Sequence, residues 1–574
     1  MFANTRRQST RPSLHLFPQP SPSRHMSEMP VPLADELFNL VFLELDIVSL
    51  VACKRVCKRF LHLIESTERV QYHFELQAAC MKDGPSRSGT DLPELDTATR
   101  FGMLKVYRRA WEALSWTGPF TIPLSPLPPH AEKYVLVGDV LCAAGSKYLQ
   151  CTRLPSPIRG IEERQWRIDH PCEDKPRSSE YGLAIDPAQD LLALAEDQGR
   201  GASFKVHLLT LSAGVPHPTS APSGTISYTY DYGYSYIFRW RFDVQIHGSY
   251  LGLLADEHYG GVNNHLIIWD WVSGQVICEI RDDDNGFNTV QSFTFLPKDL
   301  VLLGLRLDSG LEDSPCRVKS LVHDLAAARS LGGQTITQVD DIPYLCVFEF
   351  PSYTGQFQGM DIQSTSSLGQ SPRASTWYCS PFIPDTESQQ VSLIQVFVEG
   401  EPQESLFLPF SIISHHISSY RTEGRQGIRI PWDAWGPAAS LKLRHDGPFA
   451  MWRSEAMCCP HLVILFDDTQ RGPPHPRPQH LLLKDFNTYA ARRNRANHTD
   501  IPSQWHSFSE QTVLINVEGR WATLLLPQPM IDYMDGEILL GQDSIVFAVG
   551  NPRIGSPLTF MRMTLVDPEN VEEN

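Results

Sequence analysis

Apolar residues between positions 32 and 64 recur three and four places apart: Leu33, Leu37, Leu40, Val41 and Leu45, then Leu50 and Val51, then Val56, Phe60, Leu61 and Ile64. That is the spacing of one face of an α-helix. The pattern breaks twice, and Asp46 and Ser49 at the first break are cap-type residues. It predicts two or three short helices in a compact array. A further helical stretch covers 68–81, with Val70, Phe74, Leu76 and Ala78. After a Gly/Pro/Ser turn near 84–89, another runs from 97 to 115, with the stripe Phe101, Leu104, Tyr107, Trp111 and Leu114. This stripe is expected to pack on the helices of 32–64, so that residues 30–117 form one small all-α unit.

Beyond it the period changes. Pro119, Pro123, Pro126, Pro128 and Pro129 crowd a short interval, which marks 118–133 as a semi-rigid linker. From Tyr134 short apolar runs alternate with turn residues to the end of the chain. The first unit is 134–137, a Gly138-Asp139 turn, and 140–144; later runs include 191–195, 300–305, 391–398 and 545–549. Strands without intervening helices predict an all-β domain over 134–574, as a sandwich, barrel or propeller. Residues 353–387, rich in Ser, Gln and Pro, and the proline-rich 470–480 read as loops. Residues 1–29 are rich in Pro, Ser and Arg and read as a disordered tail. Pro12, Pro18, Pro20 and Pro22 argue against the amphipathic helix of a transit peptide, and Met26 and Met29 offer alternative starts.

Two resemblances sharpen this outline. Leu33, Asp35-Glu36-Leu37, Val41-Phe42, Leu45, Leu50, Val56-Cys57 and Phe60 resemble the F-box pattern, L-P-x-E-L, I-F-x-x-L, then L and V-C-x-x-[WF]. The chain departs from it in one place: Ala34 follows the first leucine, and the proline, Pro32, precedes it. In the β part, His265–Ile277 is similar to the third strand, turn and fourth strand of a WD-type propeller blade, with Trp269-Asp270 ending a strand and Ser273-Gly274 turning. Residues 181–195 and 293–304 repeat that plan in degenerate form. Residues 134–574 leave room for six to eight blades of roughly 40–50 residues. The chain thus resembles fungal F-box proteins with a propeller-like C-terminal half.

That resemblance implies a fold of two parts, a small helical F-box module followed by a large β-propeller-like domain. It implies that Leu33, Leu37, Val41, Phe42, Leu45, Leu50, Val56, Cys57 and Phe60 define the module that docks a Skp adaptor, and through it a cullin scaffold. The β domain would bind a target protein, making the chain a substrate-recruiting subunit of a cullin-type ubiquitin ligase. A propeller scaffold that uses the F-box without ubiquitin transfer is the alternative. The pattern does not separate core positions from contact positions among the nine residues.

Composition agrees with this picture. A chain of 574 residues exceeds one core. Apolar residues at 42% and charged residues at 20% are ordinary for a globular protein. No run of eighteen apolar residues occurs, so no membrane span is expected. A net charge of −17 disfavours non-specific nucleic-acid binding, because phosphate needs a positive surface. Twelve cysteines without a C-x-x-C pair, and the lack of a signal-like apolar start, point to reduced thiols in the cytosol or nucleus.

Candidate chemistry is sparse. There is no G-x-S-x-G, no G-x-x-x-x-G-K-[ST] and no H-E-x-x-H. Asp282-Asp283-Asp284-Asn285-Gly286 has Arg281 where a calcium loop needs its first carboxylate, so a hairpin turn is expected there. Cys458-Cys459 with His461, and the pair His415-His416, lack metal-ligand spacing. Lys54, Arg55, Lys58 and Arg59 read as a solvated helix face, and Arg492, Arg493 and Arg495 as a solvated turn. Tyr228, Tyr230, Tyr232, Tyr234 and Tyr236 alternate with other residues, which puts five rings on one face of an extended segment. They read as a packed strand face, with an exposed contact loop as the alternative. No cofactor, metal or catalytic residue is expected, and a hydrolase using carboxylates in a propeller channel finds no supporting spacing.

Overall fold

The computed structural model describes residues 33–85, 94–122, 133–145, 147–171, 181–198, 203–220, 224–229, 240–257, 264–281, 288–307, 317–336, 339–353, 357–364, 378–386, 390–399, 404–423, 427–439, 441–444, 452–458, 461–467, 479–487, 513–514, 520–525, 537–549 and 558–570. It begins with five helices, α1 (Asp35–Leu43), α2 (Ile47–Val56), α3 (Lys58–Ser66), α4 (Glu68–Ala78) and α5 (Thr97–Ala113). Side chains fix where several of them start. Asp46 caps α2 by accepting from the Ser49 N–H at 2.7 Å, and Asp96 caps α5 through the Thr99 N–H at 2.8 Å. Cys57 separates α2 from α3, its Sγ accepting from the Phe60 N–H at 3.4 Å. Leu114, in the left-handed conformation, closes α5.

Among the described residues the β part consists of seven antiparallel sheets built on four or five strands each. Two of these sheets add a parallel fifth strand. We number the sheets as blades by their innermost strands: Lys133–Val137, Tyr181–Asp186, Trp240–His247, Asn288–Leu296, Phe357–Ser364, Trp452–Cys458 and Ile538–Leu540. The apolar cores lie between consecutive sheets, where one blade's residues interdigitate with the next. That is propeller packing, and the sandwich alternative drops out. Glycine makes the close approach possible at two points. A Cβ on Gly252 would stand 2.4 Å from the Phe293 ring of the next blade, and one on Gly304 would stand 2.9 Å from Met360 Sδ.

The ring closes with a strand from the other end of the chain. Trp116–Thr121, at the head of the interval read as a linker, is the outer strand of blade 7 and pairs antiparallel with Thr559–Leu565. Its register shifts between Thr117 and Phe120, where Pro119 sits on an edge that needs no donor. Residues 123–132 of that interval lie outside the described residues, as do 1–32.

Other expectations are corrected. The stripe Phe101, Leu104, Tyr107 and Trp111 of α5 does not pack on α1–α3. It joins Tyr72 and Leu76 of α4 in a core shared with blades 6 and 7, which includes Val463, Leu481, Ile545 and Phe547. Part of the expected loop 353–387 is the inner strand of blade 5, Phe357–Ser364, and Phe382–Pro384 pairs with Met81–Asp83 beside α4. Alternation of polar with apolar residues suits an inner strand with one face on the channel, and polar composition alone hides it. Of the second expected loop, residues from Gln479 belong to a strand, Gln479–Asp485. The β domain is also not helix-free. It carries α6 (Leu325–Ser330), α7 (Phe410–Glu423) and α8 (Trp432–Ala439). Phe410, Ile413, Ile417 and Trp435 fill the core between blades 4 and 5, so a helical face there replaces sheet.

Candidate partner-docking surface

The first three helices and one side of α4 build a small core of their own. Phe42, Leu50, Leu63, Ile64 and Val70 are buried, with Phe38, Leu43, Leu45, Cys53, Phe60 and Phe74 packed around them. Phe38, Phe42 and Phe60 form an aromatic triangle with ring centroids 4.9–6.3 Å apart. Arg59 ties α3 to the start of α1. Its guanidinium donates to Asp35 Oδ1 at 2.5 Å and to the Leu33 carbonyl at 2.7 Å, and lies 5.0 Å from the Phe38 ring centroid. Lys54 reaches Glu65 at 3.4 Å and the face of Phe74. The basic face is therefore half structural: Arg59 and Lys54 brace helices, while Arg55 and Lys58 are exposed. From α4, Gln77 donates to the Leu45 carbonyl at 2.9 Å and His73 Nε2 lies 3.1 Å from the same oxygen. The turn before α2 is thereby fixed to α4. The Ser49 backbone N–H, and then its hydroxyl, hold the Asp46 carboxyl below its usual range.

With the core formed, the nine motif residues divide. Phe42 and Leu50 are interior, and Leu45 and Phe60 are half-buried against them. Leu33, Leu37, Val41, Val56 and Cys57 face solvent. Three of the apolar residues at helical spacing, Leu40, Val51 and Leu61, are exposed as well, and so is Val48, which that spacing does not include. Leu37, Leu40 and Val41 make one stripe of α1 at i, i+3, i+4 spacing. Eight large apolar side chains on and beside α1–α3 are thus in water, the most exposed being Val56 at 66% and Val48 at 61%. Single exposed leucines are ordinary, but a concentration of this kind marks a contact surface.

Helices α4 and α5 dock the module on the propeller. Trp111 of α5 stacks on His461 of blade 6, ring centroids 3.6 Å apart. Tyr107 donates to the Gln542 carbonyl of blade 7 at 3.0 Å, and Asn487 Nδ2 to the Ala78 carbonyl at 2.8 Å. Under this dock lies Arg159, fully buried, with Nη2 2.7 Å from Asp543 Oδ1 and Nε 3.0 Å from Oδ2. Its Nη1 donates to Ser380 at 3.1 Å and to Gln542 Oε1 at 3.0 Å. Burial alone would favour neutral Arg159, and the Asp543 and Asp139 charges overcome it and hold the guanidinium charged.

The remaining candidates among the described residues are taken up in packing and hydrogen bonds. Cys458 is buried, and His461 is taken up by Trp111. His416 is half-buried against Phe348. Tyr228 packs on Phe204 and donates to Glu279, whose carboxylate also accepts from Arg281 at 2.7 Å. Tyr230 to Tyr236, Asp282 to Gly286, Cys459, and Arg492, Arg493 and Arg495 lie outside the described residues. Among the described residues no three His, Cys, Asp or Glu side chains come together to hold a metal, and no helix is long and apolar enough to cross a membrane.

By sequence, the chain matches no curated protein. Among solved structures it is similar to the polysaccharide lyase Uly1, at 8% identity and a TM-score of 0.38 over 79% of this chain and 92% of that one. It is also similar to the quinohemoprotein alcohol dehydrogenase ADHIIG of Pseudomonas putida HK5, at 7% identity and a TM-score of 0.32 over 80% and 77% of the two chains. Likeness at this level carries no argument about activity. The family model that does match covers the segment building the exposed apolar surface: residues 33–71 are an F-box domain.

Proposed function

We propose that this protein is a substrate-recruiting subunit of a cullin-type ubiquitin ligase, in which α1–α3 dock a Skp adaptor and the propeller receives a target protein. The reading rests on one observation, that the F-box helices leave Leu37, Leu40, Val41, Val48, Val51 and Val56 in water after their own core is complete. An adaptor that covers them removes apolar area worth about 25 cal/mol per Å². The chain performs no bond chemistry in this role. It sets a distance, because the dock of α4 and α5 fixes the adaptor surface relative to the propeller.

Co-expression with a Skp adaptor and size-exclusion chromatography tests this. Wild type is expected to elute as a one-to-one complex, and Leu37→Ala/Val51→Ala to lose it while keeping its melting temperature. Truncating two central anchors weakens such interfaces by about tenfold or more. A folded wild type that leaves the adaptor behind refutes the reading. Recovery of adaptor without cullin from cells turns it into the scaffold alternative, and localisation to cytoplasm or nucleus follows from the partners recovered.

A further inference from the structure

The inner strands surround a cavity of about 830 Å³ on the propeller axis. That size is typical of sites for small ligands. Blades 1 and 2 face it with Val135, Val137, Leu183 and Ile185 beside Lys133, and blades 3 to 5 bring most of its polar side chains among apolar ones such as Val244 and Met360. Asp243 enters from the inner strand of blade 3 and Asp361 from that of blade 5. Each has few donors. Gln245 Nε2 donates to Asp243 at 3.2 Å, and Gln363 Nε2 and the Ser292 hydroxyl donate to Asp361 at 2.9 and 3.3 Å. A carboxylate offers about four acceptor sites, so both retain unused capacity. Among the described residues neither is in an ion pair, although Lys133 and Arg241 line the same cavity.

A third acceptor lies in the same wall. Gln390, 2% exposed, lines the cavity and spends its Nε2 on the Phe295 carbonyl at 2.9 Å, while its Oε1 has no partner. These acceptors on the cavity wall keep unfilled capacity. We propose that this cavity binds an organic cation, an alkylammonium or guanidinium group, held between Asp243 and Asp361 with its carbon stem on the apolar side chains of blades 1 and 2. Such groups bring three to five N–H donors and one positive charge, which is what the acceptors lack. Their stems are suited to apolar surface. A metal ion fits less well, because the two carboxylates find no third charged or thiol ligand among the described residues. The electrostatics agree. Asp243 opens to the cavity but has protein on all sides, and burial, then the Asp361 charge, lift its carboxyl to about 6 against the pull of Gln245, Lys133 and Arg241. A bound cation relieves both. Asp256 and His247 of blade 3 are the other titratable groups at the cavity.

The proposal stands apart from the adaptor reading. The cation is either a lysine or arginine side chain of a bound protein or a free amine. Calorimetry on the full-length protein separates them with two probes, a capped Gly-Gly-Arg-Gly-Gly peptide and spermidine, and with the Gln peptide as neutral control. Wild type is expected to bind at least one cationic probe and not the control. Asp361→Asn should weaken that binding about tenfold, the worth of a charge-assisted hydrogen bond, and Asp243→Asn, a second variant should the first misfold, should do the same. Binding should fall as pH drops through about 6, where Asp243 takes up its proton. Peptide binding alone assigns the source to a side chain and spermidine binding alone to a free amine. No binding of either cation, equal binding of the Gln peptide, or binding unchanged in the folded variants overturns the proposal.

Discussion

The two ends of this molecule are unsatisfied in opposite ways. On α1–α3, apolar side chains stand in water; in the propeller channel, Asp243 stands where desolvation and the Asp361 charge oppose its own. Between them, α5 puts Phe101, Leu104, Tyr107 and Trp111, with Tyr72 and Leu76 of α4, inside a core shared with blades 6 and 7, while Val70 and Phe74 on α4 complete the core of α1–α3. The same amphipathic spacing therefore gives two outcomes, decided by whether the partner surface is present in the same chain. Helices this short gain their stability from packing rather than propensity. Those that dock in cis join the propeller, and those that retain bare positions form the surface proposed above for the adaptor.

The hardest blow to this arrangement falls on the middle. Arg159→Ala should destabilise by about 3–5 kcal/mol, because Asp543 is left charged and buried without its guanidinium. It should also loosen the helical module, since Ser380 and Gln542 lose the same donor. Chemical denaturation and limited proteolysis after α5 read both effects; a variant as stable as wild type would show that the node is dispensable. A matched pair of truncations comes next. Leu104→Ala, in the shared core at 1% exposure, should cost about 2–5 kcal/mol. Leu37→Ala, at 47% exposure, should cost within about 0.5 kcal/mol and act on adaptor binding alone. Equal losses of stability would mean that α1 packs its outer face in cis and that the comparison fails.

Much of this is legible in the chain, and the limit to it is physical. Local patterns are visible: the caps at Asp46, the helical spacing of α1–α5, the Trp269-Asp270 strand end and its Ser273-Gly274 turn. An amphipathic stripe reports that a face is buried and not against what, which is why Trp111 is expected beside α1–α3 and is found on His461. The division of the nine motif residues into Phe42 and Leu50 inside and Leu37 and Val41 outside depends on the angle between helices, which periodicity does not encode. The strand Trp116–Thr121 reads as linker because its pairing partner lies at the opposite end of the chain. Asp243 and Asp361 carry no signal in the sequence, since only ring closure brings their blades onto one axis.

The channel gives the smallest effect and the sharpest sign. An aspartate is half-ionised near pH 3.9 in an unfolded chain, whereas Asp243 in the folded protein is lifted to about 6. The folded state then holds the proton more tightly, so stability falls as pH rises from about 4 to 6 and the deficit is complete above that. The amide that replaces the carboxylate in Asp243→Asn has no charge to desolvate and no repulsion toward Asp361. This variant should therefore melt higher than wild type at pH 7.5, with a gap that narrows at pH 5, the reverse of what truncating a core residue does. A lower melting temperature at pH 7.5 would mean that the carboxylate is already neutralised by Lys133 or Arg241. In that case the channel is satisfied in cis, as the α4–α5 dock is, and the F-box surface alone awaits a partner.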